Sequence, residues 1–372
     1  MTGLTLVTGA DGYLGLRTVQ RLLADTDDRV LLTVRAADRA ELTAKTSRLA
    51  PVLDGYRGRT EIVAADMTED APLADVTRTV TTVVHSAART EFNQLKSAAR
   101  RVNVEGTARV AEYAATCPAL ERFVLLSTLV SAGRRSGAVR ETLLAGDVEF
   151  ANHYEWSKNA AELLVAERFP ELPLTIARLS TIVADDDEGH ITQYNAFHNT
   201  LKMFFYGLIT VMPGLPGTRL YLATAAATSG ALVHLAQPST PAGVYHLAPG
   251  PQEAVTLGEA IGTAFDVFAT DPSFVRRRLL RPEFCDSETF RYLVEGAQSL
   301  SASPAASALR TVAPFAEQLF SPKEFDNSRL VQVWPGADAF SNRDLVRTVC
   351  ESLVENRWGR RSGDRPRVAP AP

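Results

Sequence analysis

The 372-residue sequence has few of the residues that build metal sites or covalent cross-links. Its three cysteines, Cys117, Cys285 and Cys350, lie far apart and form no Cys-X-X-Cys pair. The six histidines show no His-X-X-X-His spacing. This scarcity excludes a disulfide framework and a zinc site, so we expect a protein of a reducing compartment that binds no metal.

The sequence also lacks an excess of charge of one sign, since 43 acidic and 39 basic side chains give a formal net charge of −4. This balance excludes the basic face of a nucleic-acid-binding protein and a polybasic membrane anchor. The longest apolar runs, Met203–Met212 and Leu220–Ala236, are too short or too polar to span a bilayer, and the N-terminus has no signal-peptide pattern. We therefore expect a soluble cytoplasmic protein without a transmembrane segment or a nucleic-acid partner.

Short β-branched apolar runs alternate with amphipathic segments up to about residue 185. Strands are predicted at Leu4–Val7, Val30–Val34, Glu61–Ala64, Thr82–His85, Arg122–Leu126 and Leu174–Ile182. Helices are predicted at Gly15–Leu23, Val104–Ala115 and Lys158–Arg168. Apolar strands that alternate with helices indicate an α/β fold with a doubly wound parallel sheet.

The pattern divides the chain into unequal parts. Residues 1–185 form the predicted sheet domain, residues 186–218 an insertion, and residues 219–249 a return to the sheet that ends in the strand-like Val244–Leu247. Residues 250–360 are mostly helical with proline breaks and form a smaller second part. Residues 361–372 are polar and proline-rich, which predicts a disordered tail.

A glycine-rich turn follows the first predicted strand and opens the first helix. It reads Thr8-Gly9-Ala10-Asp11-Gly12-Tyr13-Leu14-Gly15. Gly9 permits the tight turn, Gly12 lets the backbone approach a pyrophosphate, and Gly15 lets helix and strand pack closely. The helix N-terminus then offers free N–H groups to the phosphates. The turn predicts a Rossmann-type dinucleotide-binding domain, with Thr8, Gly9, Asp11, Gly12, Tyr13, Leu14 and Gly15 at the cofactor.

The end of the second predicted strand bears on the choice of dinucleotide. It carries Arg35 rather than the carboxylate that would bind the ribose 2′-hydroxyl of NAD. An arginine there would pair with a 2′-phosphate, and Arg39 and Lys45 could assist it. We favour NADPH over NAD, although Arg35 can equally be read as a surface residue of an arginine-rich chain.

Tyr154 and Lys158 lie four residues apart and therefore on one helix face. A fixed ammonium stabilises a phenolate and lowers the pKa of the phenol toward neutrality, which suits proton transfer. The chain has only five lysines against 34 arginines. A lysine at this position is therefore notable, since arginine does not readily replace a compact ammonium.

These motifs together resemble the extended short-chain dehydrogenase/reductases. The resemblance rests on the glycine-rich turn, Asn103, the Ser127-Thr128 pair at a strand end, and Tyr154 with Lys158. The run Val84–Phe92 and the segment Phe123–Gly133 further resemble the thioester-reductase and fatty acyl-CoA reductase branch.

By position, the resemblance implies which side chains meet the cofactor. Asp66 and Met67 would lie at its adenine end, and Lys158 would bind the ribose hydroxyls. The remaining cofactor contacts implied by the resemblance are Ser86, Ala87, Ala88, Tyr154, Leu179, Ser180 and Ile182.

The resemblance also implies the catalytic roles. Thr128 would hydrogen-bond the substrate oxygen, Tyr154 would be the general acid, and Lys158 would support it. Asn103 would hold a helix bend and a water of the proton relay. Two departures stand out: Leu179 replaces a proline that is usual in the family, and Ala226 falls where an aspartate is usual.

The predicted function is NADPH-dependent reduction of an acyl thioester, held on CoA or a carrier protein, or of the derived carbonyl. The helical part after residue 185, with Met203–Tyr206 and Leu208-Ile209, would supply an apolar substrate wall, and it can equally be read as simple core or an oligomer interface. A ketoreductase or sugar-nucleotide epimerase on the same fold stays open, although Leu129-Val130 follows Thr128 where dehydratases carry Asp-Glu. A catalytically silent NADP-binding regulator is a third reading, against which stand the retained Tyr154 and Lys158. The oligomeric state is open, a homo-oligomer included.

Overall fold

The computed structural model describes residues 3–298 and 304–359. In chain order its strands are β1 (Leu4–Thr8), β2 (Arg29–Val34), β3 (Thr60–Ala64), β4 (Thr82–His85), β5 (Arg122–Thr128), β6 (Gly137–Val139), β7 (Leu174–Leu179), β8 (Thr181–Ala184), β9 (Val211–Pro213), β10 (Arg219–Leu220), β11 (Leu222–Thr224), β12 (Gly243–Leu247), β13 (Val255–Thr256), β14 (Glu283–Cys285) and β15 (Lys323–Phe325).

The α-helices of the same residues alternate with these strands in the first half of the chain and dominate the last third. They are α1 (Tyr13–Asp25), α2 (Arg39–Leu53), α3 (Lys96–Ala99), α4 (Gly106–Ala115), α5 (His153–Arg168), α6 (Ala196–Tyr206), α7 (Ala225–Ala236), α8 (Leu257–Phe268), α9 (Pro272–Arg277), α10 (Ser287–Gln298), α11 (Pro304–Leu319), α12 (Ser328–Val333) and α13 (Leu345–Glu355). None of the helices in residues 3–298 and 304–359 is long and apolar enough to cross a membrane.

Seven strands form one sheet in the order β12-β7-β5-β4-β1-β2-β3. Every neighbouring pair in it is parallel, as the apolar strand pattern predicts. The chain leaves β1 toward β2 on one side, and β4 lies on the other side of β1. This reversal opens a crevice at the carboxyl ends of the strands, where open α/β sheets bind their ligands.

Buried aliphatic side chains fill both faces of the sheet. Leu6 points into the core on one face and Val7 into the core on the other, both with no exposed surface. Successive side chains of a strand point to opposite faces of the sheet, and helices cover both faces. Consecutive residues of each strand must therefore be apolar.

A separate core lies among α6, α8, α9 and α13. Its centre is a cluster of aromatic rings that contact one another at centroid distances between 5.2 and 6.2 Å: Phe204, Phe205, Phe265, Phe268, Phe274 and Trp358. Such rings bury large apolar areas, so this part of the chain has the core of a packed helical layer.

The structure differs from the predicted elements in two places that matter for the site. The predicted strand Leu174–Ile182 is divided at Ser180, because β7 pairs with β12 in the large sheet whereas β8 pairs with β11. The predicted helix Val104–Ala115 begins later, at Gly106, and is preceded by a π-helical turn over Arg100–Glu105. Such turns are frequent at functional sites.

The predicted parts of the chain can be located in this architecture. Residues 219–249 contribute β12 to the edge of the large sheet, and residues 186–218 contain α6. The predicted tail, residues 361–372, lies outside the described residues, as do positions 299–303 and 360 of the helical part.

Candidate active site

The glycine-rich turn has the backbone that the sequence requires. Gly9 adopts a φ of +64°, and a Cβ there would lie 2.8 Å from the Ala87 backbone. A Cβ on Gly15 would lie 2.3 Å from the carbonyl oxygen of Gly9. Helix α1 starts after Gly12, with no side-chain cap and no acidic residue in its first turn. Its first N–H groups and the positive end of its dipole are therefore available to an anion.

Thr8 connects this turn to the loop after β4. Its hydroxyl accepts hydrogen bonds from the backbone N–H groups of Ser86 and Ala87, each at 3.1 Å. The imidazole of His85 bridges Thr8 at 2.7 Å and Thr107 at 2.9 Å. Burial and the neighbouring Lys158 lower the pKa of His85 to about 3, so the ring is neutral. These bonds hold Ser86, Ala87 and Ala88 beside the turn.

Cationic side chains gather at the end of β2. Lys45 donates to the backbone oxygen of Arg35 at 2.5 Å and pairs with Asp11 at 3.0 Å. Partial burial raises the pKa of Asp66, but hydrogen bonds from Thr68 and the charge of Arg35 lower it by more. The net effect is a pKa below the ordinary value. Asp11, Arg35 and Asp66 thus lie in one neighbourhood, whereas Met67 is buried in the core.

Tyr13 connects the dinucleotide turn to the substrate-side loops. Its hydroxyl donates to the Asp185 carboxylate at 2.5 Å, and Arg17 pairs with the same carboxylate at 2.6 Å. The sequence predicts Tyr13 only as a cofactor contact. The distant Asp185 gives no signal in the local pattern.

Thr128 and Tyr154 meet at the carboxyl edge of the sheet. Thr128 ends β5, and Tyr154 lies in the first turn of α5, which Asn152 caps by accepting from the N–H of Glu155. Both side chains line the same cavity. Burial raises the pKa of Tyr154 to about 12, and the neighbouring Thr128 hydroxyl opposes that shift.

Lys158 lies one turn after Tyr154 and is buried, with its ammonium donating to the backbone oxygen of Leu126 at 2.5 Å. Burial lowers the pKa of Lys158 to about 8, and the charge of Glu162 opposes this shift. The lowered pKa of Tyr154 that the spacing predicts is absent here, because burial of the phenol outweighs any effect of the lysine.

Asn103 lies in the π-helical turn and is fully buried. Its side-chain oxygen accepts a hydrogen bond from the backbone N–H of Arg89 at 2.8 Å. Its side-chain nitrogen donates to the backbone oxygen of Arg89 and to the hydroxyl of Ser157, each at 2.9 Å. Asn103 therefore joins the loop after β4 to helix α5. The role that the resemblance gives it in a water relay stays a prediction.

A buried ion pair joins helix α5 to β7, and the sequence does not predict it. Glu162 pairs with Arg178 of β7 at 2.6 Å, and both side chains are fully buried. Glu162 also accepts from the hydroxyls of Ser127 and Ser131. Helical spacing places Glu162 on the face of Tyr154 and Lys158, since it follows Lys158 by four residues, but it gives no sign of Arg178 as the partner.

The carboxyl ends of β5 and β7 open into a cavity of about 500 Å³. Thr128, Tyr154, Leu179, Ser180 and Ile182 line it on the sheet side. On the other side it is lined by apolar residues of α6, α8 and α11: Leu201, Phe204, Leu257, Ala260, Ile261, Phe315 and Leu319. A mostly apolar pocket with few polar groups is typical of a small-molecule site.

The two departures from the family pattern have structural counterparts. Leu179 ends β7 and lines the cavity. The backbone N–H of the following Ser180 donates a hydrogen bond to the backbone oxygen of Leu247 at 3.2 Å. Near Ala226, the hydroxyl of Thr224 caps α7 by accepting from the N–H of Ala227 at 3.1 Å. A side-chain cap at this helix therefore exists without an aspartate at position 226.

The described residues fit a dinucleotide cofactor. Gly9 and Gly15 leave no room for side chains, the start of α1 is uncapped, and the buried hydroxyl of Ser180 has no partner among the described residues. A buried polar group without a partner usually meets one in a ligand or in water. Ser180 lines the cavity, where a cofactor amide would provide that partner.

Comparison with known proteins identifies the family of this chain. Residues 7–225 match the model of the family described as male sterility protein, an NAD-binding family. An isonitrile lipopeptide synthase of Streptomyces coeruleorubidus is 28% identical over 209 residues, which cover 53% of this chain. The chain spans only 14% of the length of that relative.

Solved structures share the fold over nearly the whole chain. The terminal R domain of the myxalamid PKS-NRPS pathway has a TM-score of 0.71 at 20% identity, covering 96% of this chain and 92% of that one. A thiolation-reductase di-domain of an archaeal nonribosomal peptide synthetase has a TM-score of 0.68 at 17% identity, covering 96% and 76%. Since the family model covers more than half of the chain, the protein belongs to the male sterility protein family, a family of NAD-binding domains.

Proposed function

We propose that the protein reduces an acyl thioester to an aldehyde with NADPH. The observation that carries this proposal is that the side chains of Thr128 and Tyr154 both line one mostly apolar cavity of about 500 Å³ at the carboxyl edge of the sheet. Two hydroxyl groups at one point suit a carbonyl oxygen that becomes negatively charged. The apolar remainder of the cavity suits an acyl chain.

The proposed chemistry follows from these positions. When bound, NADPH supplies a hydride to the carbonyl carbon. Thr128 and Tyr154 hydrogen-bond the carbonyl oxygen, and Tyr154 gives it a proton, which yields a hemithioacetal. Tyr154 is suited to be the acid because its raised pKa keeps the phenol protonated at neutral pH. Cleavage of the carbon–sulfur bond then releases the aldehyde and the free thiol.

The cofactor is proposed to be NADPH because cations surround the end of β2. Arg35 is exposed there, and Lys45 contacts its backbone. A 2′-phosphate would form charge-assisted hydrogen bonds with these groups. We expect Arg35→Ala to raise the Kd for NADPH about tenfold and to leave the Kd for NADH unchanged. Arg21→Ala, which removes an exposed arginine paired with Asp25, is the control. A wild-type protein that binds both cofactors equally would contradict this choice.

The thioester is proposed to be presented on CoA or on a carrier protein. Two of the similar proteins are parts of peptide-synthesis systems, and one of them combines a thiolation and a reductase unit. The matched relative is a lipopeptide synthase. These likenesses support a carrier-bound acyl or peptidyl thioester as the natural substrate.

The test measures NADPH consumption and thiol release with a panel of acyl-CoA substrates, with ketones and sugar nucleotides as comparison substrates. We expect one free thiol per NADPH oxidised in a reduction that stops at the aldehyde. Two NADPH per thiol would indicate further reduction to the alcohol. Turnover of ketones or sugar nucleotides with none of the thioesters would contradict the proposal, as would tight NADPH binding without any turnover.

A further inference from the structure

Lys323 is a buried cation in the cavity wall that the proposed reduction does not use. It begins β15, is 6% exposed and lines the cavity. Of the described residues that line the cavity, only Arg219 and Lys323 carry a full charge, and none is a carboxylate. Arg219 is paired with Glu324 at 3.6 Å, outside the lining.

The partners of Lys323 leave its charge incompletely balanced. Its ammonium donates to the side-chain oxygen of Gln318 at 3.0 Å and to the backbone oxygen of Ser321 at 3.2 Å. Within the described part of the chain no carboxylate lies within 4 Å of it. An ammonium has three donors, so two neutral acceptors leave one donor unassigned.

Glu155 is the carboxylate that acts on Lys323 from farther away. It is fully buried and accepts hydrogen bonds from Ala151 and Asn152. Burial lowers the pKa of Lys323 to about 8, and Glu155 opposes that shift. The Lys323 side chain therefore remains mostly protonated at neutral pH, and its bonds to Gln318 and Ser321 fix its orientation.

We propose that Lys323 binds an anionic group on the substrate, so that the cavity selects acyl thioesters whose chain carries a carboxylate. This inference rests on the proposed function. A buried ammonium that is held by neutral acceptors is stabilised most by a carboxylate ligand. The reason is that a charge-assisted hydrogen bond in a water-poor cavity is stronger than a bond to a neutral acceptor. The apolar lining of α6 and α8 would cover the methylene groups between the two ends.

The experiment compares two series of acyl-CoA substrates of equal chain length, one ending in a carboxylate and one in a methyl group. At the best length we expect the wild type to show a KM about tenfold or more lower for the carboxylate series. Lys323→Met should remove that difference. Lys202→Met is the matched control, since Lys202 lies on α6 outside the cavity lining, and it should keep the difference.

A second measurement needs no variant. Free carboxylates should compete with acyl-CoA in the wild type, and calorimetry should show that they bind more tightly than the neutral primary amides of equal length. Equal KM values for the two series in the wild type would overturn the inference. So would an equal loss for both series in Lys323→Met, which indicates a purely structural role. Absence of all thioester turnover contradicts the proposed function, while calorimetry still decides the carboxylate site.

Discussion

The cavity has two walls that differ in what holds them. The polar wall, defined by Ser127, Thr128, Tyr154 and Ser180, lies at the carboxyl edge of the sheet. Hydrogen bonds and the buried pair of Glu162 and Arg178 fix its geometry. The apolar wall, defined by Leu201, Phe204, Ile261, Phe315 and Leu319, belongs to the helical part and is held by packing.

The difference separates chemistry from recognition. Proton transfer and oxyanion stabilisation require atoms at fixed distances, and directional hydrogen bonds supply them. An acyl chain requires only apolar area and volume. Changes in the polar wall should therefore alter kcat, whereas changes in the apolar wall should alter KM and stability.

The largest expected effect is that of Tyr154→Phe on the polar wall. Loss of the phenolic proton should lower kcat by about 10²- to 10⁴-fold and leave the Kd for NADPH nearly unchanged. Steady-state kinetics and cofactor titration measure the two quantities. Tyr113→Phe, on α4 with its hydroxyl bonded to Thr77, is the control. An unchanged kcat would remove Tyr154 from the chemistry.

Glu162→Gln tests the support behind the polar wall. It keeps the shape of the side chain but leaves the Arg178 charge unpaired in the interior, where both residues are fully buried. We expect the free energy of unfolding to fall by about 3–5 kcal/mol, measured by denaturant titration. Glu167→Gln, an exposed position of the same helix, should change it little. Equal effects of the two variants would show that the ion pair does not hold this wall.

Leu201→Ala opens the apolar wall. Leu201 is 5% exposed and belongs to the helical core as well as the cavity lining. We expect a loss of about 2–5 kcal/mol of stability and a higher KM for long acyl chains, with a smaller change of kcat. Leu280→Ala, at an 87% exposed leucine, is the control. A loss of kcat as large as that of Tyr154→Phe would erase the distinction between the walls.

The smallest expected effect is a pH dependence that only the polar wall should show. The pKa of Lys158 is lowered to about 8, so its ammonium is lost as the pH rises through that value. Tyr154, with a pKa of about 12, keeps its proton there. We expect kcat/KM to fall about tenfold per pH unit above 8. Leu201→Ala should retain this descending limb, and a profile flat to pH 10 would contradict the assignment.

The polar wall was largely predictable from the sequence, and the apolar wall was not. Gly9, Tyr154 and Lys158 follow from local rules, because a turn and a helix face each fix a residue by short spacing, whereas Thr128 follows only from the family resemblance. The sheet is confirmed for the same reason, since apolar runs of strand length alternate with helical patterns.

Contacts between distant segments gave no such signal. The pairs Glu162–Arg178 and Tyr13–Asp185 join different elements, and Lys323 enters the cavity only because β15 pairs with β6. The division of the predicted strand at Ser180 has the same origin, because β7 and β8 bond to different partners. Tertiary pairing decides such features, and periodicity does not record it.

The most direct test follows deuterium from NADPH doubly deuterated at the nicotinamide C4 into the product of a single turnover with an acyl-CoA substrate. We predict an aldehyde with one deuterium on the former carbonyl carbon, together with one equivalent of free thiol, and neither product from Tyr154→Phe on the same time scale. Thiol release without deuterium in the aldehyde, or full retention of both deuterons in the cofactor, would contradict hydride transfer to a thioester at the polar wall.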